Sequence, residues 1–141
     1  MPYLTQVDYL DRFGEAETIR LTDESKAGVV DEDKLATAIS DAEELVDGYL
    51  AGRYPIPLAS APGNIKGIVA DLARERLHKA RPLPAVTEAA DRARSLLRDI
   101  SAGRMVLLVD QEPADPLASG FAQSAPTQLG YVFNADKLSR F

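Results

Sequence analysis

The chain has 141 residues, no cysteine and a net charge of −6, and these properties exclude several classes of protein. Without cysteine it forms neither disulfides nor thiolate metal sites, which is compatible with a reducing cytoplasm. No apolar run approaches the roughly 20 residues that cross a membrane, and the first residues, MPYLTQVDYL, lack the pattern of a signal peptide. An acidic chain is a poor ligand for duplex DNA, because that affinity comes mainly from Lys and Arg.

Two short helical segments are predicted before residue 30. Thr5 and Asp8 form a capping pattern that opens the first, Gln6–Phe13, and Gly14 ends it. The second is a helical turn at residues 15–21, followed by a polar loop. The side chains expected to be buried in these segments are Val7, Leu10, Phe13, Ala16, Ile19 and Leu21.

The longest predicted helix covers residues 33–51. Its apolar residues recur at gaps of three and four, which places them on one face; they are Leu35, Ala38, Ile39, Ala42, Leu45, Val46, Tyr49 and Leu50. The acidic residues 31–33 complement the helix dipole and cap its first amides, which explains them better than a metal site does. We expect Gly52 to end this helix in the left-handed conformation.

A stiff apolar segment, RYPIPL at residues 53–58, follows the long helix. Its two prolines fix φ and remove two hydrogen-bond donors, so the path is extended. Two interpretations remain open: a connector that packs on its own core, or an interface strap. Arg53 either pairs with an acidic residue of another subunit or complements a helix end in solvent. The interface candidates in this segment are Arg53, Tyr54, Pro55, Ile56 and Pro57.

Two further helices are predicted at residues 65–80 and 85–102. Asn64 is the expected N-cap of the first, and Gly103 is the expected stop of the second. His78, the single histidine, is expected to be partly exposed near a helix end, and it makes a poor metal site without cysteine. Residues 105–109, MVLLV, have strand character.

The last two helices hold a concentration of arginines. Arg74, Arg94 and Arg98 are interface candidates, since they could face an acidic helix of a neighbouring subunit or contact DNA. The alternative is a solvated face with ion pairs between residues four apart on the same helix.

Residues 110–141 differ in composition from the rest of the chain, with several prolines and few charges but four aromatic residues. Disordered segments usually lack aromatics, so this region is interpreted as an arm that binds a partner. Leu129, Tyr131 and Phe133 alternate, which allows a short strand to be added to a partner's sheet. The candidate anchors are Phe121, Tyr131, Phe133 and Phe141. The predicted division is a helical domain at 1–109 and an extended arm at 110–141.

Four segments of the sequence are VDYLDRFGE, ISDAEELVDGYLAGRYPIPL, IKGIVADLARERL and LLRDISAGR. Together, over about residues 3–109, the chain resembles the Mu-like phage head–tail connector family, with DGYLAGRYPIPL the most specific part. The resemblance implies a helical subunit of a dodecameric ring beneath the portal. Such a ring would dock the stopper or tail-terminator protein, and DNA would pass through it without specific binding.

The expected fold is therefore mainly α, a small bundle of three main helices with short N-terminal helices and an extended arm. No phosphate-binding glycine loop, nucleophile elbow or histidine pair is present, so we expect no enzyme, cofactor or metal. We expect a virion protein of the phage neck, made in the host cytoplasm. The alternatives are a stand-alone helical protein-binding module and a small nucleic-acid-binding protein.

Overall fold

The computed structural model describes residues 2–109, and these residues form five α-helices without a β-strand. The helices are α1 (Gln6–Phe13), α2 (Glu15–Thr22), α3 (Glu32–Leu50), α4 (Gly63–Leu77) and α5 (Pro84–Ser101). Helices α3, α4 and α5 pack against one another, and α1 contacts both α2 and α3. The mainly α fold with three main helices is confirmed. The arm at 110–141 lies outside the described residues, and the division into domain and arm stays a prediction.

The N-terminal capping pattern forms as expected. The Thr5 hydroxyl accepts the Asp8 N–H at 3.1 Å, and the Asp8 carboxylate accepts the Thr5 N–H at 3.3 Å. Gly14, with φ of 91°, then separates α1 from α2. A left-handed φ of this kind strains residues with a Cβ, which is why glycine suits the break.

The inward residues of α1 and α2 differ from the prediction. Tyr9 is buried in α1, while Val7 is 64% exposed. The predicted Leu10 and Phe13 are half-buried, and Phe13 packs against the core. In α2 the buried residues are Thr18 and Thr22, whereas the predicted Ala16, Ile19 and Leu21 are exposed or half-buried. The two threonine hydroxyls donate to carbonyls one turn earlier, at 2.9 and 2.8 Å, so burial leaves neither unpaired.

Helix α3 buries six residues of the predicted stripe, namely Leu35, Ala38, Ile39, Ala42, Val46 and Leu50. The Asp31 carboxylate accepts the Lys34 N–H at 3.1 Å, as a capping residue does. The prediction for Gly52 is wrong. Its φ is not positive, because Ala51 ends the helix in a right-handed conformation and the chain turns by donating two N–H groups, from residues 53 and 54, to Leu50 O.

Helices α4 and α5 occupy nearly the predicted ranges. Asn64 is not the N-cap, because α4 begins at Gly63, two residues before the predicted start, with Pro62 in the N-cap position. The Asn64 side chain accepts the Ile65 N–H. Gly103 ends α5 with φ of 77°, as predicted. Residues 105–109 form no strand, because no second strand lies beside them within residues 2–109. None of the helices described is long and apolar enough to cross a membrane.

Candidate interaction surface

The segment of residues 53–58, which we call the strap, connects α3 to α4. Tyr54 and Leu58 are buried in the core, and Tyr54 is only 1% exposed. Pro55, Ile56 and Pro57 between them are exposed, with a cis peptide bond before Pro57. The strap is therefore both a core element at its ends and a surface element at its tip, so the two interpretations of this segment are compatible.

Two tyrosine hydroxyls hold the strap in place. The Tyr3 hydroxyl accepts the Leu58 N–H at 2.9 Å and donates to the Asp47 carboxylate at 2.5 Å. Burial and the hydrogen bond to Asp47 raise the pKa of Tyr3 from 10.0 to about 12. The Tyr54 hydroxyl accepts the Leu107 N–H at 2.9 Å. The strap is thus fixed to the N-terminus and to the segment after α5.

Arg53 lies against the C-terminal end of α5. A Cβ on Gly103 would come within 2.6 Å of the Arg53 Nη1 atom, so a larger residue there would displace the guanidinium from its present position. The Arg53 Nε is buried and has no hydrogen-bond partner within residues 2–109. A positive charge beside the C-terminal end of α5 complements that helix dipole, and whether Arg53 also contacts another subunit stays a prediction.

Exposed apolar side chains follow α5, beside the strap. Val106 is 58% exposed and Leu108 is 93% exposed, while Leu107 between them is 3% exposed. This segment adjoins the strap through the hydrogen bond from Leu107 to Tyr54. We call Pro55, Ile56, Pro57, Val106 and Leu108 together the strap–edge surface. Sequence reasoning missed Val106 and Leu108, although the β-prone composition of MVLLV marked their segment.

Arg74, in contrast, is occupied inside the chain. Its Nε and Nη2 atoms donate to the two carboxylate oxygens of Glu17 at 2.7 and 3.1 Å. Its guanidinium also lies 4.6 Å from the centroid of the Phe13 ring, a distance typical of cation–π contacts. Arg74 is therefore neither a solvated residue nor one paired along its own helix.

His78 completes this cluster, and the expectation of partial exposure is wrong, since its exposed fraction is 7%. Its Nε2 lies 3.1 Å from the Glu17 Oε1, so the buried ring has a polar partner. Burial opposes the ionisation of Glu17, but the hydrogen bonds from Arg74 and His78 outweigh it and lower the pKa of Glu17 below its usual value. We call Glu17, Arg74 and His78 the carboxylate cluster.

The other two candidate arginines differ from each other. Arg94 donates to both oxygens of Glu75 on α4, and this pairing raises the pKa of Arg94. Arg98 is exposed and makes no ion pair within residues 2–109. The three candidate arginines thus have three different environments, two paired inside the chain and one exposed. Phe121, Tyr131, Phe133 and Phe141 lie outside the described residues, and their interface role stays a prediction.

Comparison with known proteins places these features in a phage context. A family model described as Bacteriophage Mu, Gp36 matches residues 3–125, which is most of the chain. A curated relative is the Mu-like prophage FluMu protein gp36 of Haemophilus influenzae. It is 29% identical over 107 residues, which cover 74% of this chain and 76% of the relative. The family match continues past residue 109, into the region of the predicted arm.

Proposed function

The chain belongs to the bacteriophage Mu Gp36 family, so it is a protein of Mu-like phages, and on that premise we propose that it is a structural subunit of the phage neck. In this proposal several copies form a ring, with a dodecamer as the expected size, that joins the portal of the head to the stopper or tail-terminator protein. The ring continues the DNA channel. The protein is made in the host cytoplasm and acts in the particle, as a structural component and not as an enzyme.

The observation that supports a joining role most directly is the strap–edge surface. Ile56, Val106 and Leu108 are exposed, although the residues beside them, Tyr54 and Leu107, are fixed in the core by a hydrogen bond. Contiguous exposed apolar patches are typical of surfaces that bind other proteins, and these residues are candidates for such a patch. A ring requires each subunit to contact its neighbours through two different surfaces, and this surface is a candidate for one of them.

The charges support a channel through which DNA slides. Arg74 and Arg94 are engaged by Glu17 and Glu75, so they are not available to neutralise phosphates. The chain is acidic overall, and phosphate neutralisation supplies most of the affinity for duplex DNA. The nucleic-acid-binding alternative is therefore disfavoured. A stand-alone protein-binding module would share the strap–edge surface and would differ in remaining a monomer or dimer.

Native mass measurement of the full-length chain, alone and mixed with the portal protein of the same phage, separates these alternatives. We expect a closed oligomer of many copies, formed alone or on the portal. A monomer or dimer in both samples would contradict the proposal and favour the stand-alone module. A strong, salt-dependent complex with duplex DNA would favour the nucleic-acid-binding alternative instead.

A further inference from the structure

The burial of residues 106–109, after α5, alternates as it does in one strand of a sheet, although these residues form no strand within residues 2–109. Leu107 is buried and Val109 packs against the core, whereas Val106 and Leu108 are exposed. This alternation with a period of two is that of an extended strand with one face on a core. Leu108 is the most exposed large apolar residue among those described.

The backbone of this segment is paired on one side only. The Leu107 N–H donates to the Tyr54 hydroxyl. Within residues 2–109, the N–H groups of Val106 and Leu108 have no acceptor. Successive N–H groups of an extended strand point to opposite sides, so among residues 2–109 the N–H and C=O groups of these two residues form an open edge. The edge, together with the exposed Leu108 side chain, offers both the hydrogen bonds and the apolar contact that a second strand needs.

We propose that this edge is covered by residues 129–133 of a neighbouring copy, which add a strand to it. The inference rests on the proposed ring. These residues, LGYVF, carry the alternation of Leu129, Tyr131 and Phe133 that suits a strand with one apolar face. Such a strand places its aromatic residues against Val106 and Leu108. The apolar edge of one copy thereby becomes the docking site for the arm of the next.

The connection between the two segments favours a neighbouring copy over the same chain. A strand that returns to its own edge as a hairpin usually does so through two to five residues. Residues 110–128 are far more than that, and they contain Pro113, Pro116 and Pro126, which stiffen and extend a connection. At about 3.3 Å per residue, this connection spans up to roughly 60 Å, enough to reach an adjacent subunit.

Disulfide trapping tests this arrangement without a background reaction, because the natural chain has no cysteine. Leu108→Cys is made in one full-length chain, and Leu129→Cys, Tyr131→Cys or Phe133→Cys in a second chain that carries a mass tag. The two are mixed, assembled and oxidised, and disulfide-linked pairs are separated without reductant and weighed. The control replaces Leu108→Cys by Val29→Cys, another exposed apolar residue, which lies between α2 and α3. Circular dichroism verifies that each variant is folded.

We expect one of the three arm positions to form mixed disulfides with Leu108→Cys at least tenfold above the Val29→Cys control. A chain that carries both cysteines should then give a ladder of linked subunits. If that chain closes only an internal disulfide and the mixed pairs do not form, the arm covers its own edge and the inference is wrong. It is also wrong if the disulfides join the chain to the portal, or if no arm position exceeds the control.

Native mass measurement of the same samples distinguishes a failure of the proposed arm contact from a failure of the proposed ring. An oligomeric ring without mixed disulfides would overturn the inference and leave the proposed function standing. Absence of any oligomer, alone or with the portal, would overturn the proposed function, and the inference would fall with it. A chain that ends at residue 128 gives a second measurement: it should assemble at least tenfold more weakly, and unchanged assembly would contradict the inference.

Discussion

The surface groups near the two ends of helix α4 differ: those near one end are paired inside the chain, and those near the other are exposed. Near its C-terminal end, the carboxylate cluster pairs charges inside the chain. Near its N-terminal end, the strap–edge surface leaves apolar side chains exposed on a fixed support. The two features are separated by most of a helix of 15 residues, about 22 Å long. The difference shows that arginine in this chain can be paired internally while apolar side chains beside the core remain exposed.

The largest effect is expected from Glu17→Ala, which breaks the carboxylate cluster. It leaves Arg74 unpaired in a largely buried setting, so the free energy of unfolding should fall by about 2 to 3 kcal/mol. Urea denaturation measures it. The matched control is Asp41→Ala, which removes the more exposed pair with Arg76 and should cost less than about 1 kcal/mol. Equal effects of the two substitutions would show that the cluster is an ordinary surface pair.

Leu108→Asp tests the strap–edge surface. The charge prevents burial of this side chain at a subunit contact, so assembly should weaken by roughly 2 kcal/mol per contact, about 30-fold. The unfolding free energy should stay nearly unchanged, since Leu108 is 93% exposed. Concentration-dependent native mass measures the assembly. Val29→Asp is the control, and if it weakens assembly as much as Leu108→Asp does, the strap–edge surface has no special role.

Tyr54→Phe probes the hydrogen bond that supports the strap–edge surface. It leaves the buried Leu107 N–H without its acceptor, which should cost about 1 kcal/mol in thermal or urea unfolding. Tyr49→Phe, in a half-buried tyrosine near the end of α3 but outside the strap, is the control and should change stability by less than about 0.5 kcal/mol. A Tyr54→Phe chain as stable as the control would mean that this hydrogen bond does not hold the edge.

The smallest effect concerns acid stability. Because the pKa of Glu17 is lowered in the folded chain, its ion pairs contribute fully above the usual glutamate value of 4.5. That contribution is lost as the pH falls through the lowered pKa. The stability difference between the natural chain and Glu17→Gln should therefore shrink as the pH is lowered from 6 to about 3. A difference that stays constant over this range would exclude ionised Glu17 as the cause.

The helices could be predicted because their signals are local. Periodic apolar residues, the Thr5 cap, the Asp31 cap and the Gly103 stop all act within a few residues of where they stand. Burial of Thr18 could not be predicted from polarity alone, because its hydroxyl finds a backbone acceptor one turn away. The same local reasoning placed Gly52 and Asn64 in capping roles that the backbone fills differently.

The candidate surface was less accessible to sequence reasoning. Arg74 and Glu17 are 57 residues apart in the chain, and nothing in a local pattern joins them. The strap was correctly marked as special by its prolines, but its division into a buried Tyr54 and an exposed tip depends on what packs beneath it. Strand character at residues 105–109 was visible in the composition, but these residues form no strand, because none of residues 2–109 pairs with them and local composition does not reveal that.

The central claim, that this chain joins head to tail in a Mu-like phage particle, is tested most directly by locating it in purified particles. Antibody labelling of intact and tail-less particles, viewed by electron microscopy, gives the position. The account predicts label at the single vertex where the tail attaches, retained on heads that carry a neck. Particles that contain none of this chain, or that carry it away from that vertex, would contradict the account.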